Sequence, residues 1–287
     1  MAAFVAVVVV VGWGFSLVFD YGLAGVAVAV VVAVVASFGA WWKSDAIALA
    51  LSHARPASEA EQARLHNLVE GLCIAGGLPK PRLYVVPDDA SNAFATGRNP
   101  RHAAVAVTTG LLETLNRVEL EGVLAHELSH VKNYDTLVST LAVTLVGVVT
   151  VLSDLAVRAM WWGGLGHRHD RRGGSGPAAI LGLFGIVLVV AAPLVGRLMQ
   201  FAVSRRRELL ADVSGVSLTR YPPGLIAALE KLRDNTTVVH SGSRATAHLW
   251  IESPVPRVPS EGRGARLNRL FDTHPPLEER ITALREL

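Results

Sequence analysis

The chain is 287 residues long, 51% hydrophobic and 18% charged, with a net charge of only +3. Its apolar residues gather into a few long runs instead of recurring at periods of 2 or 3.6, which excludes an ordinary soluble domain and points to a membrane protein. No basic stripe interleaved with aromatics is present, so nucleic acid is excluded as a partner, and the single cysteine, Cys73, excludes an internal disulfide framework.

Two apolar segments open the chain, residues 1–19 and 22–42, separated only by Asp20 and Tyr21. Each approaches the roughly 20 residues that a bilayer-crossing helix requires. No positively charged n-region and no clear cleavage site mark the first as a removable signal, so both read as membrane anchors. Trp41, Trp42 and Lys43 close the pair as aromatic and basic residues do at an interface.

Residues 43–135 carry the patterning of a globular domain. Ser58 and Glu61 read as a capping box. After them Leu65, Leu68, Val69, Leu72 and Cys73 recur at helical spacing, which makes Cys73 core filler, and Gly76 with Gly77 stops the helix. Short strands are predicted at 82–86, 92–96 and 103–108, broken by Pro87, Gly97 and Pro100. A second helix begins after Asn116.

A third apolar run covers 136–162. Its apolar core ends near Leu152, and Asp154 and Arg158 follow at i, i+4, where they neutralise one another. A fourth covers 178–196 and meets Arg197, which can snorkel to the headgroups. The remainder, 204–287, opens as a helix. It then passes through a Ser-, Pro-, Gly- and Arg-rich stretch between Asp234 and Arg266 that reads as a mobile loop, and ends in a short helix after Pro275 and Pro276.

The chemistry is concentrated in His126-Glu127-Leu128-Ser129-His130, an H-E-x-x-H sequence within a predicted helix that contains no proline. Residues four apart share a helix face, so both imidazoles can reach one tetrahedral Zn²⁺. Glu127 lies one position round, suited to taking a proton from a zinc-bound water as general base. A catalytic zinc needs a third protein ligand. The metzincin extension would require Gly and His at 133 and 136, but Asn133 and Thr136 stand there. The best candidate is Glu208. If 136–162 and 178–196 cross the membrane as a hairpin, His130 and Glu208 emerge on the same side, each about 18 Å or less from its boundary at helical rise. His167 and His169 are rival ligands, but that loop would lie on the opposite side. Asp212, one turn after Glu208, either orients a ligand imidazole or pairs with an arginine. Arg205, Arg206 and Arg207 read as a membrane flank. Asn133 and Asp135 end the motif helix, with capping and ligand-orienting roles both open.

Four separated blocks carry a family resemblance: Asn92-Ala93-Phe94-Ala95-Thr96-Gly97, the 126–135 stretch, 204–212, and Thr273-His274-Pro275-Pro276 with Arg280 and Ile281. With the order of apolar segments around them, the chain resembles the HtpX-type membrane zinc proteases, which are related to the type I CAAX prenyl proteases. One departure is Leu209, where that family usually has an aromatic residue. The resemblance implies one zinc per chain with Glu208 as third ligand, and a multi-pass protein of the cell membrane whose active site faces the cytoplasm. It implies membrane or misfolded proteins as substrates. It also implies Asn92 on an edge strand that pairs with extended substrate and His274 as an oxyanion stabiliser; a helix-cap role for His274 is equally open. The arginines of loop 163–177 run against a simple positive-inside count for that orientation.

The expected fold is mainly α: four transmembrane helices plus a zincin-like catalytic domain with a small β-sheet, built from two segments. The hairpins would be 1–42 and 136–203, and the catalytic parts 43–135 and 204–287. A catalytically silent scaffold is disfavoured by intact Glu127, and a metal carrier by the scarcity of polar groups within the apolar runs. A processing protease for a specific lipidated or signal-bearing substrate remains an alternative to quality control.

Overall fold

The computed structural model describes residues 42–137, 205–235 and 275–287, together with 31, 35, 38, 39, 139, 237 and 249–251. Apart from scattered positions, the four apolar segments lie outside the described residues, as do His167, His169 and His274. Among the described residues no helix is long and apolar enough to cross a membrane. By compactness the chain divides into Met1–Trp42 with Thr144–Leu198, and Lys43–Val143 with Met199–Leu287; the described fold is that of the second unit.

Its elements in order are α1 (Ser44–Leu51), β1 (Arg55–Pro56), α2 (Ala63–Gly76), β2 (Arg82–Val86), β3 (Ala93–Gly97), β4 (Ala103–Thr108), α3 (Thr109–Thr114), α4 (Arg117–Lys132), α5 (Arg205–Thr219), α6 (Pro222–Asp234) and α7 (Leu277–Arg285). The strands form one mixed sheet in the order β1-β2-β4-β3, with β2 parallel to β4 and β3 antiparallel on its other side. Both faces of the sheet are covered. Leu83, Ala93, Ala95, Ala103, Val105 and Val107 pack into the main helical core, while Val86, Phe94, Ala104 and Ala106 pack with Ala48 and Leu49 of α1 and with Trp250. That double burial explains why β3 and β4 read as nearly unbroken small apolar runs instead of alternating with polar residues.

The helix predicted over 63–76 buries Leu65, Leu68, Val69, Leu72 and Cys73, and stops where Gly77 adopts a left-handed φ of 63°. Its start differs from the expectation. The Ser58 carbonyl accepts from the Gln62 N–H at 2.8 Å, closing a separate turn, and α2 begins only at Ala63 with no side-chain cap. The segment expected to be a mobile loop is anchored at 249–251, where Trp250 and Ile251 are buried against β3.

Helix α4 is the buried centre of the unit. Asn116 caps it by accepting from the N–H groups of Val118 and Glu119, and the Glu119 carboxylate returns to the Asn116 N–H at 2.8 Å. The same carboxylate accepts from Lys231 Nζ at 2.8 Å, joining the start of α4 to α6. Two glycines let neighbouring helices approach closely. A Cβ on Gly122 would lie 2.7 Å from the Leu225 backbone N of α6, and one on Gly215 of α5 would lie 3.0 Å from the His126 backbone N.

Alanine gains about 1 kcal/mol over glycine in a helix interior, whereas forcing a methyl against backbone costs typically about 1–3 kcal/mol. The clash at Gly122 is with backbone that cannot rotate away, so the second effect wins. Gly122→Ala is therefore expected to lower the melting temperature of the detergent-solubilised protein by several degrees, at about 2–4 °C per kcal/mol. An unchanged or raised melting temperature would show that α6 yields at this crossing.

Candidate metal centre

His126 and Glu127 are buried in the middle of α4, and His130 lies one turn on, partly open to solvent. The long-range partner comes from α5, which packs most extensively against α4 and presents Glu208, itself buried. Each of His126, His130 and Glu208 offers one ligand atom, and the three atoms lie within 4.8 Å of one another. The two Nε2 atoms are 3.1 Å apart, and each lies 3.6 Å from a Glu208 carboxylate oxygen.

Ligands of a tetrahedral zinc at 2.0–2.1 Å lie about 3.3 Å from one another, and the observed separations fall on both sides of that value. The donor set of two imidazoles and one carboxylate is that of a catalytic divalent site that leaves a fourth position for water or substrate. The residues present therefore fit a divalent metal.

The imidazoles are aimed from behind. His126 Nδ1–H donates to Asp212 Oδ1 at 2.8 Å, and His130 Nδ1–H donates to Asp135 Oδ2 at 3.1 Å, which leaves both Nε2 lone pairs for the same point. Each carboxylate is held in turn by an arginine. Arg280 Nε and Nη2 donate to the two Asp212 oxygens at 2.8 and 2.6 Å, and Arg207 Nη1 donates to Asp135 Oδ1 at 2.6 Å. Asp212 thus receives the His126 imidazole N–H and pairs with an arginine through the same carboxylate.

The charges perturb one another strongly. For His126, burial and the Arg280 charge favour the neutral ring, but the Asp212 and Glu208 carboxylates outweigh them and push its pKa up to about 9. Metal must displace that proton in order to bind. Burial tends to raise the Asp212 carboxyl, yet Arg280 and His126 outweigh it and hold the group down at about 2. Burial raises the Glu127 carboxyl above its ordinary range, against the pull of both imidazoles.

Of the residues singled out in the sequence, His126, Glu127, His130, Glu208 and Asp212 are brought together by α4 and α5. Asn92, buried, stands at the head of β3, where its backbone carbonyl accepts from the Thr108 N–H. Two pairings lie beyond the sequence reading. Arg207, which reads in the sequence as a membrane flank, directly precedes Glu208 and reaches Asp135. Arg280 is fully buried. A signal for it existed: on α7 it stands among the buried Leu277, Ile281 and Leu284, and a cation on an apolar helix face implies a buried partner.

The profile of peptidase family M48 matches residues 59–287. A curated protein described as "Protease HtpX homolog" from Thermoanaerobacter pseudethanolicus is 41% identical over the whole of this chain and 93% of its own length. Another of the same description, from Tropheryma whipplei strain Twist, is 48% identical over 85% of this chain and 79% of its own. A solved structure of Ste24p from S. mikatae aligns with 80% of this chain and 51% of its own at 19% identity and a TM-score of 0.46.

Removing a carboxylate that orients a ligand imidazole typically weakens metal affinity by about 10–100-fold. Asp135→Ala is expected to show that loss in chelator competition against the purified wild-type protein. Arg207→Ala, which leaves Asp135 in place, should show a smaller one. Wild-type affinity in Asp135→Ala would mean that the His130–Asp135 contact does not orient the ring.

Proposed function

The chain belongs to peptidase family M48 and is a metalloprotease, and on that premise we propose that it is a membrane-bound zinc endopeptidase that hydrolyses membrane or misfolded proteins at the cytoplasmic face. The observation that carries the reading is a buried Glu127 beside two converging imidazoles and the Glu208 carboxylate. His126, His130 and Glu208 would hold one zinc, whose chemistry when bound is to polarise the scissile carbonyl and acidify water.

Glu127 does the proton work. It adjoins the ligand face without belonging to the ligand triad, and burial lifts its pKa toward the working pH, which suits a general base and then a general acid. It takes the proton of the attacking water and returns it to the leaving amine, so protons balance over the cycle. Strand β3, at the margin of the sheet, is the element along which an extended substrate would pair, with Asn92 at its head. His274 is proposed to stabilise the oxyanion, supported by Arg280, six residues on, which approaches His126.

The membrane placement rests on the four apolar segments, with hairpins at 1–42 and 136–203 and catalytic parts at 43–135 and 204–287. The cytoplasmic orientation and the quality-control substrate class rest on the resemblance to HtpX-type proteases.

Glu127→Gln is expected to retain about one zinc per chain and to lose casein cleavage by about 10²–10⁴-fold, the usual range for a general base. Cleavage at the wild-type rate would assign the proton transfer elsewhere. Glu208→Ala should instead lose bound zinc, read by metal analysis of the purified protein. Full occupancy in that variant would return the third-ligand question to His274 and to the loop histidines.

A further inference from the structure

The margin of the sheet beyond β3 is already occupied. On the β4 side the Asn92 carbonyl accepts from the Thr108 N–H and the Asn92 N–H donates to the Thr108 hydroxyl, so by strand alternation Ala93 and Ala95 direct their backbone groups away from β4. The Ala93 carbonyl accepts from the Ile251 N–H at 2.9 Å, and Trp250 stands antiparallel opposite Phe94. The indole packs edge-on against the Phe94 ring, with centroids 4.7 Å apart. Leu249, Trp250 and Ile251 are all buried, Trp250 completely. This is the arrangement of an extended peptide added to a sheet edge: main-chain hydrogen bonding with alternate side chains in pockets.

We propose that residues 249–251 are an intramolecular occupant of the substrate edge, so that a substrate must displace them, and that the edge favours extended apolar segments with a bulky aromatic opposite Phe94. The inference rests on the reading of β3 as the strand that pairs with substrate. Two features fit a displaceable occupant better than a permanent part of the core. The Trp250 Nε1–H is buried without a hydrogen-bond partner among the described residues, which an optimised core position avoids. The segment also comes from a Ser-, Pro-, Gly- and Arg-rich stretch and, among the described residues, meets the sheet along 249–251, so it competes chiefly through tethering. Such a tether supplies an effective concentration on the order of millimolar, which a substrate with matching side chains and higher affinity can exceed.

Hydrogen exchange on the full-length Glu127→Gln protein in detergent tests this without altering the segment. The probe is an uncleaved peptide matching residues 246–253, Thr-Ala-His-Leu-Trp-Ile-Glu-Ser, at a concentration shown to saturate by fluorescence anisotropy. Displacement predicts that amides at 249–251 lose protection by tenfold or more while those of β3 keep theirs. Unchanged or increased protection at 249–251 with peptide bound would overturn the proposal.

A second arm uses Ile251→Pro, which removes the N–H donated to Ala93, with a quenched fluorescent peptide as substrate. kcat/KM should rise several-fold at wild-type zinc content. An unchanged or lower value at that zinc content would equally overturn the proposal, and if the variant loses zinc the exchange result decides. Absence of any Glu127-dependent cleavage by the wild-type protein would instead overturn the protease reading beneath it.

Discussion

A guanidinium with no exposure to water organises this site. Arg280 sits among Asp212, Glu208 and His126, and its charge must be matched where it is, because an ion left unpaired in a protein interior costs several kcal/mol. The match comes from Asp212, whose two oxygens take Nε and Nη2 while one of them also receives the His126 Nδ1–H. One carboxylate therefore neutralises the cation and orients the His126 ring. Three helices far apart in sequence, α4, α5 and α7, are bound at that point.

The same requirement explains the packing around it. For Asp212 and Glu208 to reach the imidazoles from a neighbouring helix, the backbones of α4 and α5 must approach closely, and Gly215 sits opposite His126 where any Cβ would intrude. Gly122 does the same for α6, and the Glu119–Lys231 pair joins α6 to the start of α4. The centre is thus held by close backbone contact as well as by charge. His130, nearer the surface, is held by a lighter version of the device, Asp135 with the half-exposed Arg207.

An enzyme that hydrolyses peptide bonds must hold its substrate extended, and a sheet margin offers the means. A bare margin is also open to adventitious pairing, which natural sheets suppress by covering it. Here the cover is a short piece of the chain itself, with a tryptophan over Phe94. Helix α4 and the covered strand share one core, which includes Ala93 and Ala95 with Leu124 and Leu128 of α4.

Much of this was legible in the residues. The H-E-x-x-H spacing, the strands at 82–86 and 103–108, the apolar face of α2 and the stop at Gly77 all follow from local periodicity and backbone preference, which a sequence carries directly. Glu208 was reachable by topology and by resemblance, and Asp212 by its place one turn along the same face. What only the tertiary structure decided were pairings between distant elements: Arg280 with Asp212, Arg207 with Asp135, Ile251 with Ala93. A polar side chain does not announce its partner, since the same arginine is a solvated flank or a buried anchor depending on what packs over it. Ser58 and Glu61 make the converse point, because a capping pattern was present and a backbone turn at Gln62 took its place. Short-range spacing determined which candidate residues share a helix face, and long-range packing determined what holds them in position.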